Sequence, residues 1–145
     1  MTPLRKIYTA FLSKMSEDDW LDWTEEEAQA DWMTLLEAAI SWFKFPKNSL
    51  IINEEENSFE GDLDTREIQI LSTYMKCEWL NRKILAYENI EPLYDERDYS
   101  PANFINRLSN LLERERKHAK DLESIYYRVV NNIPFDYKRL AGDVE

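Results

Sequence analysis

One cysteine, one histidine and two glycines in 145 residues close off several classes of protein. Cys77 alone can form neither an intramolecular disulfide nor a cysteine-rich zinc site, and it is compatible with a reducing interior such as cytoplasm. Two glycines and five prolines, with no Gly/Ser-rich tract, leave little for a flexible linker or for the many tight turns of an all-β fold. No segment approaches the roughly 18 consecutive apolar residues of a membrane span. The amphipathic start MTPLRKIYTAFLSKM is interrupted by charges, unlike the core of a signal peptide. Positive charge is also short. Against 29 Asp and Glu stand 18 Lys and Arg, a formal net charge of -11 that repels nucleic-acid phosphates.

What the chain does have is apolar and aromatic mass. Hydrophobic residues make up 43%, with 5 Trp, 6 Phe and 8 Tyr, enough for one substantial core. The expectation is a single all-α domain over residues 1–132, four-helix bundle-like, with residues 133–145 as a C-terminal tail or arm. Thr2 and Pro3 read as an N-cap and a first helical position, followed by the stripe Leu4, Ile7, Tyr8, Phe11, Leu12, Met15. Thr24 and Glu27 form a T-x-x-E capping box for a second helix, whose stripe Ala28, Trp32, Leu35, Leu36, Ala39, Ile40, Phe43 runs on until Pro46. Residues 47–64 read as an extended loop or a small hairpin, Leu50 to Asn53 against Ser58 to Glu60.

Asp64 or Thr65 caps a third helix, with Glu67 in its first turn. Its apolar positions fill two adjoining faces, Ile68, Leu71, Met75, Trp79 and Ile70, Tyr74, Cys77, Leu80, Ile84, as in the central helix of a bundle. Ser100-Pro101 starts a long fourth helix to about Val130. Phe104, Leu108, Leu111, Glu115, His118, Leu122, Ile125 and Val129 form a heptad seam along it.

Candidate sites are sparse. Glu54, Glu55 and Glu56 with Asp62 and Asp64 lack the ligand order of an EF-hand and read as a solvated acidic loop. Glu25, Glu26, Glu37 and Glu67 do not complete the paired E-x-x-E of all-helical, magnesium-dependent pyrophosphohydrolases. His118 lies three residues from Glu115 and reads as a structural or inter-subunit pairing, there being no nucleophile motif or phosphate loop beside it. Arg114, Arg116, Lys117 and Lys120, interleaved with Glu113, Glu115, Asp121 and Glu123, read as a solvated face or inter-subunit ion pairs. Cys77 reads as a small buried hydrophobe. Trp20 and Trp23 stand outside the stripes, as core plugs or interface anchors. No enzymatic activity, cofactor or metal is expected. Tyr94, Asp95, Asp98 and Tyr99, in an acidic connector whose aromatics stand among charges, are the best interface positions, joined by Glu115 and His118.

The stretch from Glu67 to Leu112 resembles small helical neck proteins of tailed double-stranded DNA bacteriophages, the head-to-tail connectors between portal and tail. The match consists of Glu67, Ile68, Ile70, Leu71, Met75, Trp79 and Leu80, then Asp95, Tyr99, Ser100, Ala102 and Asn103. The resemblance implies an adaptor in a ring, twelvefold in such proteins, that contacts the portal protein, its own neighbours and a tail-side neck or stopper protein. It implies that DNA passes through the lumen without specific binding, and that the site of action is the virion neck, assembled in host cytoplasm without a membrane. It also implies a terminal arm, for which Ile133 to Leu140, with Phe135, Tyr137, Lys138 and Arg139, is the candidate. The composition leaves open an acidic phage-encoded binding protein, a DNA mimic or an inhibitor of a host protein.

Overall fold

The computed structural model describes residues 1–16, 19–90 and 101–131. Its elements are β1 (Thr2–Pro3), α1 (Leu4–Ser13), α2 (Glu25–Trp42), β2 (Ile52–Asn53), β3 (Ser58–Phe59), α3 (Thr65–Ile90) and α4 (Pro101–Val130). The protein is predominantly helical, with a small antiparallel sheet in the order β1-β3-β2.

Local chemistry sets the starts of α2 and α3. The Thr24 hydroxyl accepts the Glu27 N–H at 3.2 Å, and Glu25, Glu26 and Glu27 complement the positive end of the α2 dipole. Half of the expected box forms, since the Glu27 carboxylate takes the Thr24 hydroxyl proton at 2.9 Å and not a backbone N–H. At α3 the box is complete: Asp64 Oδ1 accepts the Glu67 N–H at 2.8 Å and Glu67 Oε1 accepts the Asp64 N–H at 3.0 Å. The helix α2 stops at Trp42, ahead of Pro46. Phe43 is already extended there, with its ring edge-on to Tyr126 at 5.3 Å.

The hairpin forms as expected, with Ile52 opposite Phe59 and Asn53 opposite Ser58. The acidic triplet is its turn: Asn53 Oδ1 accepts the N–H groups of Glu55 and Glu56, and Asn57 takes a φ of 46°. Gly61 lets the chain pass Ser49, whose backbone oxygen would sit 2.6 Å from any Cβ there. The third strand is a correction to the N-cap expected at Thr2. Thr2 and Pro3 pair with Phe59 and Ser58, and Pro3 itself becomes the residue before α1. The Thr2 hydroxyl serves the sheet, donating to the Gly61 carbonyl at 2.9 Å and accepting the Leu63 N–H at 2.7 Å.

The helix α3 is the axis on which α1, α2 and α4 each pack. Ile70, Leu71, Met75 and Leu80 of α3 are fully buried with Ile7, Phe11, Leu36 and Ala119. Burial of each large aliphatic side chain contributes about 1.5–3 kcal/mol. The helices α3 and α4 run antiparallel, with Glu67 meeting Tyr126, Lys76 meeting Glu115 and Tyr87 meeting Phe104.

The predicted seam of α4 needs a second correction. Its inward side carries Leu112, Ala119, Glu123 and Tyr126, all buried, whereas His118, Ile125 and Val129 face outward. A straight α-helix drifts about 20° per heptad from a strict seven-residue repeat, and the buried Leu112, Ala119, Glu123 and Tyr126 each lie one residue later than a seam position. Glu123 is therefore buried and not part of a solvated charged face.

Candidate functional site

Two polar clusters, a cleft and an outer helix face are the places where the described residues depart from plain core and solvated surface. The first cluster closes the start of α3 against the end of α4. Glu67, fully buried, accepts four donors: Asn48 Nδ2 at 2.6 Å and Asp64 N–H on one oxygen, Asn48 N–H at 3.2 Å and the Tyr126 hydroxyl at 3.1 Å on the other. Tyr126 in turn accepts the Lys47 N–H at 2.7 Å. A parallel relay lies beside it. The Phe45 N–H donates to the Tyr127 hydroxyl at 3.2 Å, and Tyr127 donates to Glu123 at 2.6 Å. The Tyr74 hydroxyl takes the other Glu123 oxygen.

No cation contacts either carboxylate among the described residues. Burial, with the charge of Glu67 adding to it, pushes the Tyr126 hydroxyl up to about 12. Burial and the hydrogen bond to Glu123 do the same for Tyr127, to about 12, and hold Tyr74 well above its usual value. With donors on every carboxylate oxygen, the cluster ties the segment after α2 to α3 and α4.

The second cluster joins the α1–α2 connection to the later turns of α3. Asp31 accepts the Trp20 indole N–H at 2.7 Å and both of its oxygens face Arg82, at 2.8 and 2.9 Å. Asp19 accepts the Trp79 indole N–H at 2.9 Å and pairs with Lys83 at 2.8 Å, whose ammonium lies 5.4 Å over the Trp79 ring. The aromatic residues continue inward, Phe11 to Trp20 at 5.8 Å, Trp20 to Trp32 at 5.9 Å and Trp32 to Tyr8 at 5.5 Å.

That aromatic ladder lies along a cleft between α1 and α2, which pack on α3 more than on each other. One part measures about 690 Å³, with Leu4, Tyr8, Trp32 and Met33 among its lining, and Glu25, Glu26, Glu54, Glu56 and one cation, Arg5, around it. A second part of about 550 Å³ shares Leu12, Glu25 and Trp32 with the first. All four glutamates are exposed. The Trp32 indole N–H is buried without an acceptor among the described residues, and the Tyr8 hydroxyl reaches the Met33 sulfur at 3.9 Å, a weak acceptor. Burial, aided by Glu37, raises Tyr8 to about 12.

Of the sequence-predicted interface residues, Glu115 and His118 are described. The structure separates them. Glu115 turns toward α3 and pairs with Lys76 at 3.0 Å, both side chains mostly covered, whereas His118 is exposed. Tyr94, Asp95, Asp98 and Tyr99, and the arm residues Phe135, Tyr137, Lys138 and Arg139, lie outside the described residues. Trp20 is core, and Trp23 is 44% exposed at the cleft. Cys77 is buried, and burial raises its thiol to about 11. Among the described residues, no group of three or more His, Cys, Asp or Glu is placed to hold a metal, and no helix is long and apolar enough to cross a membrane.

Sequence reasoning missed the partners of Glu67 and Glu123 and the cleft. One signal was present: Tyr127 follows Glu123 by four residues, a spacing that puts them on one helix face. Comparison of the chain with protein-family models, with curated proteins and with solved structures gives no match.

Proposed function

We propose that the chain is a structural virion protein of a tailed bacteriophage, an adaptor in the neck ring between portal and tail that continues the DNA channel. In this reading the four helices act as one bundle-like protomer, and α4 is the long element that meets a neighbouring copy. The observation that carries it is the outer face of α4. Ile125 and Val129, one turn apart, are 55% and 50% exposed on a 30-residue helix about 45 Å long. Exposed aliphatic side chains one turn apart near the end of a long helix suit coverage by a partner chain.

The resemblance over Glu67 to Leu112 supports the scaffold part of this reading, since Glu67, Ile70, Leu71, Met75, Trp79 and Leu80 are all buried positions of α3. The net charge of -11 suits a lumen from which DNA must slide freely. The partners are then the portal, neighbouring copies and a tail-side neck protein, with no cofactor.

Mass spectrometry of purified phage particles tests it. The chain is expected at a fixed ratio to portal protein, and its absence from particles overturns the reading. The double variant Ile125→Asp, Val129→Asp is expected to remain folded by circular dichroism and to lose ring or portal assembly in size-exclusion chromatography. Retained assembly removes α4 as the contact. The acidic surround of the α1–α2 cleft favours a second reading, an acidic inhibitor that occupies a basic host surface, for which the same protein is missing from particles and competes with DNA.

A further inference from the structure

We propose that the cleft between α1 and α2 is a docking groove for a basic, apolar-anchored peptide segment of a partner protein. The inference holds under either reading above, because it depends on the groove and not on where the chain acts.

Three independent features converge on this occupant. The floor is apolar and aromatic, from Leu4 and Tyr8 on α1 and Trp32 and Met33 on α2, in a space of about 690 Å³. That volume is within the range of about 300–1,000 Å³ typical of ligand sites and admits a few apolar side chains. The surround is acidic from two separate elements. Glu25 and Glu26 come from the first turn of α2, where the helix dipole accounts for them. Glu54 and Glu56 come from the β2–β3 turn, whose Asn57 carbonyl accepts the Leu4 N–H at 2.9 Å, so they flank the same cleft from beside the start of α1. The third feature is a shortage of acceptors: among the described residues Trp32 Nε1 has none and the Tyr8 hydroxyl has a thioether. A buried donor left without an acceptor costs about 1–3 kcal/mol. Trp32 lines the groove but its N–H is covered, so a peptide carbonyl laid along α1 and α2 accepts it only when the ring turns toward the groove.

Charge decides between occupants. Nucleic acid and anionic lipid headgroups bring phosphates to four glutamates, against which the lining sets the single cation Arg5. A second copy of this chain brings its own charge of -11. A segment with lysines or arginines flanking Leu or Phe anchors satisfies the surround and the floor together.

The test uses the full chain and two fluorescent amphipathic peptides, one with Lys and Leu at helical spacing and one with Glu in place of each Lys. The lysine peptide is expected to bind, to weaken at least tenfold when Glu25→Lys, Glu26→Lys, Glu54→Lys and Glu56→Lys are combined, and to shift the Trp32 indole N–H resonance. That resonance is assigned with Trp32→Phe. Tyr8→Phe is expected to weaken binding several-fold, and Glu113→Lys with Asp121→Lys on the exposed side of α4 to leave it within about twofold, with folding checked by circular dichroism. The proposal is overturned by no binding, by equal binding of the glutamate peptide, by an unmoved Trp32 resonance, or by equal loss from the α4 substitutions. A peptide of residues 133–145 that moves the Trp32 resonance at lower concentration than the lysine peptide also overturns it, and assigns the groove to the chain's own tail.

Discussion

The two polar clusters along α3 solve the same problem in opposite ways. At its start, Glu67 and Glu123 are held in the interior by amides and tyrosine hydroxyls alone. Toward its end, Asp19 and Asp31 take indole N–H groups but also meet Lys83 and Arg82, whose side chains are 29% and 43% exposed. The first arrangement derives its strength from exclusion of water and from complete donor saturation. The second is partly solvated, so water and salt dilute its Coulombic attraction. One cluster should fail by losing a single partner, the other by degrees.

The sharpest way to break this contrast is Glu67→Ala, which strands the amides of Asn48 and Asp64 and the hydroxyl of Tyr126. A loss of more than about 3 kcal/mol is expected in urea unfolding, from several buried donors at about 1–3 kcal/mol each. A loss below about 1 kcal/mol would mean that water reaches the site.

Alkaline pH comes next. Tyr126 and Tyr127 have an ordinary value of 10.0 and are raised to about 12 in the fold, so the folded state holds these protons more tightly than the unfolded state. Their contribution is fully present below pH 10 and is lost as pH rises through about 12. Thermal midpoints measured from pH 8 upward should begin to fall above about 9, where the buried Cys77 thiol, raised from 9.0 to about 11, contributes, and fall more steeply above 10, with a shallower fall there in Tyr126→Phe.

The smallest effect is expected at the solvated cluster. Arg82→Ala should cost about 0.2–1 kcal/mol in dilute buffer, and the difference from the parent should shrink in 1 M salt. A salt-independent loss as large as that of Glu67→Ala would erase the distinction between the clusters.

These clusters also mark what a linear reading can reach. Thr24 and Asp64 announce α2 and α3 because a cap and its target N–H lie three residues apart. The stripes of α1, α2 and α3 are legible because helical spacing puts those residues on common faces. The partners of Glu67 are another matter: Asn48 is 19 positions away and Tyr126 is 59. Its place in the first turn of α3, where a carboxylate complements the helix dipole, already explained the glutamate locally, which hid its second role. The phase of α4 was misplaced because a seven-residue repeat and a 3.6-residue turn separate slowly, and there the packed face rather than the pattern decides. The α1–α2 cleft was invisible for a simpler reason: it is the space left when two helices are each held by a third.

The little sheet has a consequence for the order of events during synthesis. The hydroxyl of Thr2 has its partner at Gly61, 59 residues further along. At about 5–20 residues per second, a ribosome takes several seconds to make the intervening chain. Leu4 and Ile7 must spend that interval without the hairpin that anchors the start of α1 and without the α3 surface that covers them. The first helix is therefore completed only after the hairpin and α3 have been made, and conditions that slow translation lengthen the time for which its apolar face stands open to chaperones.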